Sequence, residues 1–303
     1  MERVRITDVS PRDGLQNEQG VIPTMDKVEL IRLLCQTGVD EVEVTSFVSP
    51  KWVPQLADAL EVCASLHPLL ETGPLLSVLV PNEKGLDAAV GVNARGRVLS
   101  KVSVFTAASE TFSKKNTNAT IAETLERFRP VVALAHNEEL LVRGYISSAI
   151  ACPFEGAIAP QAVAKVSRRL VDLGVDEIDL GDTIGAGTPE TVRAMLSAVR
   201  TELGDAWLPA DRLTLHLHDT FGRAAECVTA ALDVGVRSFD GSVAGLGGCP
   251  YASTPGKRAP GNISTELLVK TVHDAGFATG VDMAKLEAAA AFARGIVAKS
   301  RGG

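Results

Sequence analysis

Eight times in succession this chain passes from a short run with strand character to a longer run with helical periodicity. The strand-like runs lie near residues 4–10, 41–47, 75–81, 98–106, 142–150, 176–182, 213–219 and 238–244. The amphipathic stretches lie near 24–36, 53–65, 83–91, 119–137, 160–173, 188–203, 222–234 and 263–275. Such alternation demands a parallel sheet with helical crossovers, and eight pairs is the number that closes that sheet on itself. The predicted fold is therefore α/β, a (β/α)8 TIM barrel. A last helical stretch, about 282–299, has no strand after it, so residues 276–303 are expected as a C-terminal helical extension of a single barrel domain spanning 1–303. An open doubly wound sheet is the rival, but no glycine-rich dinucleotide fingerprint follows the first strand.

Local punctuation agrees. Gly38, Gly174, Gly235 and Gly276 each follow a helical pattern, where a residue free to take positive φ ends a helix. Pro23, Pro160 and Pro189 stand at helix starts, where a missing N–H costs little. One internal echo, Gly38-Val-Asp-Glu-Val-Glu-Val-Thr45 against Gly174-Val-Asp-Glu-Ile-Asp-Leu-Gly181, falls half a barrel apart and suggests a repeated βα unit.

The chain is 46% apolar but only 4% aromatic, so small and branched side chains must fill the core. A net charge of −7 and a pI near 5.4 argue against nucleic acid or an anionic membrane surface as main partner. Five scattered cysteines (35, 63, 152, 227 and 249) with no Cys-x-x-Cys pair suit a reducing compartment rather than a disulfide framework or a structural zinc site. No apolar run approaches the roughly 18 residues of a spanning helix, and strand character from Val4 leaves no room for a leader. The expectation is a soluble cytoplasmic protein with no membrane partner.

In a parallel barrel the strands are covered outside and filled inside, so they should be almost wholly apolar. Here charged and metal-binding residues are expected at strand ends: Arg12 and Asp13 after the first, Glu43 in the second, Asp179 and Asp182 in the sixth, His216, His218 and Asp219 at the seventh. Burying one unpaired charge costs several kcal/mol, so these groups need partners, and the C-terminal mouth is where active-site groups converge. Asp179 and Asp219 are expected to form structural ion pairs across that mouth.

Leu213-Thr-Leu-His-Leu-His-Asp-Thr220 alternates at period two, which puts His216 and His218 on one face of a strand. Two structural histidines would satisfy that pattern; two metal ligands would as well. With Asp13 they form one carboxylate and two imidazoles, a set suited to Mg2+ or Mn2+ with positions open to substrate oxygens. The Asn262 amide oxygen is a plausible fourth ligand. Arg12, always charged, could stabilise a developing enolate. After the eighth strand, Ser242-Val-Ala-Gly-Leu-Gly-Gly-Cys-Pro-Tyr251 carries three glycines that let backbone approach a ligand or move as a lid. Cys249 sits on that loop rather than in a core and is a candidate catalytic thiol.

That segment, together with Pro11-Arg-Asp-Gly-Leu-Gln-Asn-Glu18, Thr45-Ser-Phe-Val-Ser-Pro-Lys-Trp-Val-Pro54, Arg143-Gly-Tyr145, Cys152-Pro-Phe-Glu-Gly156 and Gly181-Asp-Thr-Ile-Gly185, resembles the 3-hydroxy-3-methylglutaryl-CoA (HMG-CoA) lyase family over nearly the whole chain. The resemblance implies a metal-dependent barrel cleaving its thioester to acetyl-CoA and acetoacetate, in leucine or terpenoid breakdown or ketone-body formation. It implies Asp13, His216, His218 and Asn262 as cation ligands, Arg12 as enolate stabiliser and Cys249 as the loop thiol in proton transfer. Glu43, Asp182 and Glu266 are implied as supporting carboxylates, with Asp182, acting through His216, favoured as base. A homodimer is implied as well. The sequence departs from the family by extra residues around Ser253-Thr-Pro-Gly-Lys-Arg-Ala-Pro260. Lys257 and Arg258 there, with Lys114 and Lys115, could meet CoA phosphates, or be solvated surface charge. Two rivals stay open: the same chemistry on a longer-branched 3-hydroxy-3-alkylglutaryl-CoA such as an isohexenyl thioester, and an isopropylmalate- or homocitrate-type condensing synthase, which usually carries further C-terminal domains.

Overall fold

The computed structural model describes residues 1–66, 73–248 and 261–302. Eight parallel strands close into a barrel: β1 (Arg5–Asp8), β2 (Glu41–Ser46), β3 (Leu75–Leu79), β4 (Lys101–Ala107), β5 (Leu141–Ser147), β6 (Glu177–Asp182), β7 (Leu213–Leu217) and β8 (Ser238–Gly241). Each pairs with its neighbours in chain order, and β8 returns to β1 with Ser238 opposite Arg5 and Asp240 opposite Thr7. This is the predicted (β/α)8 TIM barrel.

Around it lie α1 (Thr24–Cys35), α2 (Ala59–Ser65), α3 (Glu83–Asn93), α4 (Glu110–Thr117), α5 (Ile121–Asn137), α6 (Pro160–Leu173), α7 (Pro189–Leu203), α8 (Ala224–Asp233) and α9 (Thr265–Asp274). Their starts follow local chemistry. Thr120 and Glu123 close a capping box on α5, and Ser264 caps α9 by accepting the Leu267 N–H. Pro160 and Pro189 occupy the first positions of α6 and α7, as expected, and Gly174 ends α6 at φ 98°. The last helix, α10 (Met283–Arg301), packs along α1, and its Arg301 grips Glu18 at 3.0 Å. That contact ties the helix to the loop bearing Arg12 and Asp13. Two elements went unpredicted: α4, and a small hairpin joining 151–152 to 156–157 after β5.

The expectation of apolar strands with charges only at their ends is corrected by the barrel interior. Alternate residues of every strand, among them Ile6, Val42, Val44, Val78, Val104, Ile178, Leu215 and Phe239, are fully buried in the apolar layer beneath the helices. Burying one such side chain stabilises the fold by about 1.5–3 kcal/mol. The residues between them are polar: Thr7, Glu41, Glu43, Ser77, Lys101, Ser103, Arg143, Tyr145, Glu177, Asp179, Thr214, His216, Ser238 and Asp240, all buried. Period-two alternation in these parallel strands thus reflects an apolar outside and a charged inside.

Charge pairing makes this tolerable. Arg143, on β5 and 1% exposed at its side chain, reaches Glu177 on β6 (2.8 Å), Glu41 on β2 (3.1 Å), Thr7 on β1 (3.3 Å) and Asp240 on β8 (3.5 Å). Lys101 binds the same two glutamates, Glu41 at 2.5 Å and Glu177 at 2.6 Å. Two carboxylates and two cations interleave across the lower barrel. Asp179 belongs to this cluster, 3.8 Å from Arg143, rather than to an ion pair across the mouth. Burial and the adjacent Asp240 push its carboxyl well above the usual carboxylate range. Asp219 forms no ion pair among the described residues; it accepts the Ala224 N–H at the start of α8.

Candidate active site

The chain leaves β1 through a single π-type turn, Ser10–Gly14, in which the Asp13 and Gly14 N–H groups both donate to the Val9 carbonyl. Such turns recur at functional sites because they re-aim side chains off a strand end. Gly14 is required there, since a Cβ would lie 2.8 Å from Ser242 Oγ. The turn aims Arg12 and Asp13 over the C-terminal mouth. Arg12, 7% exposed, binds Glu43 through Nε at 2.5 Å and Asp13 Oδ1 through Nη1 at 2.8 Å, with its guanidinium 5.4 Å above the Tyr145 ring.

His216 ends β7 on the inner face, and His218 follows it. Their Nε2 atoms stand 3.1 Å apart, ring centroids 5.1 Å, so both imidazoles aim at one point. One ligand atom each from Asp13, His216 and His218 fit within 4.8 Å of one another, the arrangement of a possible metal site. Asp13 Oδ1 receives Arg12 and Gln16, while Oδ2 receives Asn262 Nδ2 at 2.8 Å. Burial favours the acid form of Asp13, but Arg12 and the two histidines outweigh it and hold the pKa at about 2. Burial and the neighbouring His216 lower His218 to about 4. Desolvation opposes protonation of His216 too, yet Asp240 and Asp13 raise its pKa overall.

Asn262 is held beside this set by backbone pairing with β7: His218 bridges it, the Asp219 N–H donates to Gly261 O (3.0 Å) and the Ile263 N–H to Leu217 O (2.9 Å). Its Nδ2 donates to Asp13 and to the Leu246 carbonyl (2.9 Å), which leaves Oδ1 buried and without a hydrogen-bond partner among the described residues. An orphaned buried acceptor is costly unless something else binds it, and a hard cation fits. Gly247 makes the close approach possible: at φ 102°, a Cβ there would sit 2.7 Å from Asn262 Nδ2 and 3.2 Å from Asp13 Oδ2. These four residues therefore fit a divalent ion with oxygen and nitrogen donors.

Two further carboxylates expected to support the site are also placed by the fold. Asp182 ends β6 and accepts the Gly187 N–H (2.7 Å) and the Ala186 N–H (3.1 Å). Burial still raises it to about 6. Glu266 holds the root of the glycine loop, its two oxygens accepting the Ala244 N–H at 3.2 and 3.0 Å where Ala244 takes a left-handed φ of 59°. Lys114 and Lys115 are exposed on α4, with the Lys115 ammonium 4.8 Å over the Phe154 ring. Cys249, Lys257, Arg258 and the extra residues at 253–260 lie outside the described residues.

Sequence reasoning missed the groups beneath the ligands. Tyr145 hydroxyl lies within 3.3–3.4 Å of Arg143, Glu43 and Asp240, and Asp8 knits the mouth by accepting from Ser10, Val243 and Thr265. The signal was there: polar residues two apart in each strand, as in Arg143-Gly-Tyr145 and Ser238-Phe-Asp240.

Fold and site together define a (β/α)8 barrel with a possible metal site, Asp13, His216 and His218, at its C-terminal mouth. Residues 3–293 match the HMGL-like family. The chain is 46% identical over 96% of its length to the cytoplasmic 3-hydroxy-3-methylglutaryl-CoA lyase of Rattus norvegicus, covering 80% of that protein. It is 47% identical over 94% of its length to the mitochondrial hydroxymethylglutaryl-CoA lyase of Gallus gallus, covering 90% of it. The crystal structure of the HMG-CoA lyase from Brucella melitensis superposes with a TM-score of 0.90 at 46% identity, over 98% of this chain and 100% of that one. The chain belongs to the HMG-CoA lyase family.

Proposed function

We propose that this protein is a divalent-cation-dependent carbon–carbon lyase that cleaves 3-hydroxy-3-methylglutaryl-CoA to acetyl-CoA and acetoacetate, with Mg2+ or Mn2+ held by Asp13, His216, His218 and Asn262. The observation that carries this reading is the convergence of two Nε2 atoms and the Asp13 carboxylate beside an Asn262 Oδ1 that has no hydrogen-bond partner among the described residues. When bound, the ion supplies Lewis-acid polarisation of substrate oxygens.

The remaining chemistry falls to the chain's own groups. Asp182, raised to about 6, is a base poised near neutrality, and each of its oxygens keeps a lone pair beyond its backbone hydrogen bond. It takes the proton of the C3 hydroxyl, directly or through His216. The C2–C3 bond breaks; its electron pair passes to the thioester enolate, and C3 becomes the ketone of acetoacetate. Arg12, fixed by Glu43, is the buried cation beside which enolate charge is stabilised. Cys249 returns a proton to C2, giving acetyl-CoA. Glu266 positions the loop that carries this thiol. Lys114, Lys115, Lys257 and Arg258 would meet the CoA phosphates, and the unit would be a homodimer. Four described cysteines (35, 63, 152 and 227) are free thiols, which favours a reducing compartment such as the cytoplasm. Among the described residues no helix is long and apolar enough to cross a membrane.

The test is turnover of HMG-CoA by chelator-treated protein before and after addition of Mg2+ or Mn2+, beside a panel of longer-branched thioesters and the acetyl-CoA condensation assay. Cleavage restored by the cation, with the highest kcat/KM on the methyl-branched thioester, is expected. Undiminished cleavage by metal-free protein would overturn the metal reading; preference for an isohexenyl branch, or net condensation, would replace the substrate.

A further inference from the structure

We infer that Asp240 is the positioning carboxylate for His216, and that through it the ion-paired barrel interior sets the metal affinity of the mouth. The inference rests on the metal reading above and extends it to residues that touch neither ion nor substrate. His216 faces His218 through Nε2, so a cation held there takes the Nε2 lone pair, and the ring must then carry its hydrogen on Nδ1. Asp240 Oδ2 lies 3.5 Å from that Nδ1, which has no closer hydrogen-bond partner among the described residues. Residues 240 and 216 are directly opposed partners in the β8–β7 ladder, so ring and carboxylate stand side by side inside the barrel. The contact is longer than an ordinary hydrogen bond, and ring and carboxylate would have to approach and align for it to become one.

Asp240 is in turn held from below. Its side chain is fully buried; Oδ1 lies 3.5 Å from Arg143 Nη1 and Oδ2 3.4 Å from the Tyr145 hydroxyl. Arg143 is anchored on Glu41 and Glu177, and the Tyr145 ring meets the His216 ring edge-on at 6.3 Å. A chain of contacts therefore runs from Glu41 and Glu177 through Arg143 and Tyr145 to Asp240, and from Asp240 to the ligand His216. A carboxylate behind a ligating imidazole fixes its tautomer and orientation and raises its basicity. Asparagine at 240 can turn its NH2 toward Nδ1 and so favour the tautomer with hydrogen on Nε2, which cannot ligate.

The experiment is a Mn2+ titration followed by the EPR signal of free Mn2+, on full-length wild type, Asp240→Asn, Tyr145→Phe and His216→Ala. Histidine 15N spectra of the Mg2+-saturated proteins read the tautomer, and unfolding midpoints in chelator control for folding. Wild type is expected to bind Mn2+, Asp240→Asn to bind about 10–100-fold more weakly with His216 no longer protonated on Nδ1, and Tyr145→Phe to lose about three- to tenfold. Asp240→Asn binding within threefold of wild type with the tautomer unchanged would overturn the inference. If Asp240→Asn does not fold, Tyr145→Phe decides, and affinity equal to wild type there would overturn it as well. Wild type that binds no Mn2+ would sink the metal site itself, a failure distinct from that of Asp240 alone.

Discussion

The lower barrel and its mouth are both buried, both charged and only one layer of side chains apart, yet they are opposite kinds of site. Below, each anion has a cation: Glu41 and Glu177 share Lys101 and Arg143 at 2.5–3.1 Å. Above, acceptors face acceptors: two Nε2 atoms, the Asp13 carboxylate and the Asn262 Oδ1, with Arg12 on the flank. Density of charge therefore does not distinguish structure from function here. What the groups face does: carboxylates interleaved with cations neutralise one another, while acceptors converging on one point form a possible metal site.

The largest expected effects separate the two regions outright. Asp13→Ala should lower kcat/KM for the thioester by about 10³, the loss of several kcal/mol of transition-state stabilisation. Its unfolding free energy in urea, measured in chelator, should fall by less than that of an Arg143 variant, because Arg12 keeps Glu43 as partner when Asp13 is lost. Arg143→Met should do the reverse to the fold, costing about 3–5 kcal/mol by removing one of the two cations of Glu41 and Glu177, which keep only Lys101, and the guanidinium beside Asp240. An Asp13→Ala protein destabilised as much as Arg143→Met, or an Arg143→Met protein as stable as wild type, would break the contrast between the regions.

The contrast also marks what the sequence could and could not tell. Alternation of elements gave the barrel, and two histidines at i and i+2 with an aspartate after the first strand pointed to the three groups that the fold brings within 4.8 Å as a possible metal site. The internal echo pairs Glu41 with Glu177 and Glu43 with Asp179; the first two are the twin carboxylates of the lower network. Their cations, Lys101 and Arg143, were not identified, because a barrel interior is ordinarily filled by branched apolar residues and the inward polar positions were set against that rule. Asp219 was assigned to an ion pair because an aspartate beside a ligand strand looks alike whether it meets a cation or the first turn of a helix. Asn262 could be proposed from its place after the eighth strand. Its orphaned oxygen, and the pairing with His218 that places it, exist only once the chain closes.

A subtler effect lies within one strand. β6 begins at Glu177 and ends at Asp182, both buried and oppositely shifted. Burial pushes Glu177 up, but Arg143 and Lys101 outweigh it and bring the pKa from 4.5 to about 2. Its charge thus stabilises the fold at neutral pH, by about 3 kcal/mol, and that contribution is lost as pH falls from about 4.5 toward 2. Asp182 has backbone N–H groups as its main partners, so burial wins and raises it from 3.8 to about 6. The folded chain then holds this proton more tightly than the unfolded one, so the stabilisation is fully present below about 3.8 and lost as pH rises through 6. Metal-free Asp182→Asn should accordingly lose stability less steeply between pH 4 and 6 than wild type, and Glu177→Gln less steeply between pH 4.5 and 2. In the loaded enzyme, kcat should rise with ionisation of Asp182 near pH 6, and Asp182→Asn should remove that limb and lower kcat about 10²–10⁴-fold. An acid limb retained in Asp182→Asn would assign the base elsewhere in the mouth.

The smallest effect concerns charge outside both regions. Lys114 and Lys115 lie on α4, after β4 and so on the mouth side of the barrel, and both are exposed. An exposed contact to a phosphate is screened and is worth about 0.2–1 kcal/mol, so Lys114→Ala and Lys115→Ala should each raise KM for the thioester about two- to fivefold with kcat unchanged. The increase should shrink as salt is raised toward 0.5 M, where the screening length falls to a few ångströms. Lys115 should show the larger effect. Its ammonium already rests over the Phe154 ring, so less side-chain freedom is lost when it meets an anion, whereas among the described residues no such ring holds the Lys114 stem. A KM that moves for neither variant at low salt would make both lysines solvated surface, with a role in the thioester site excluded for each.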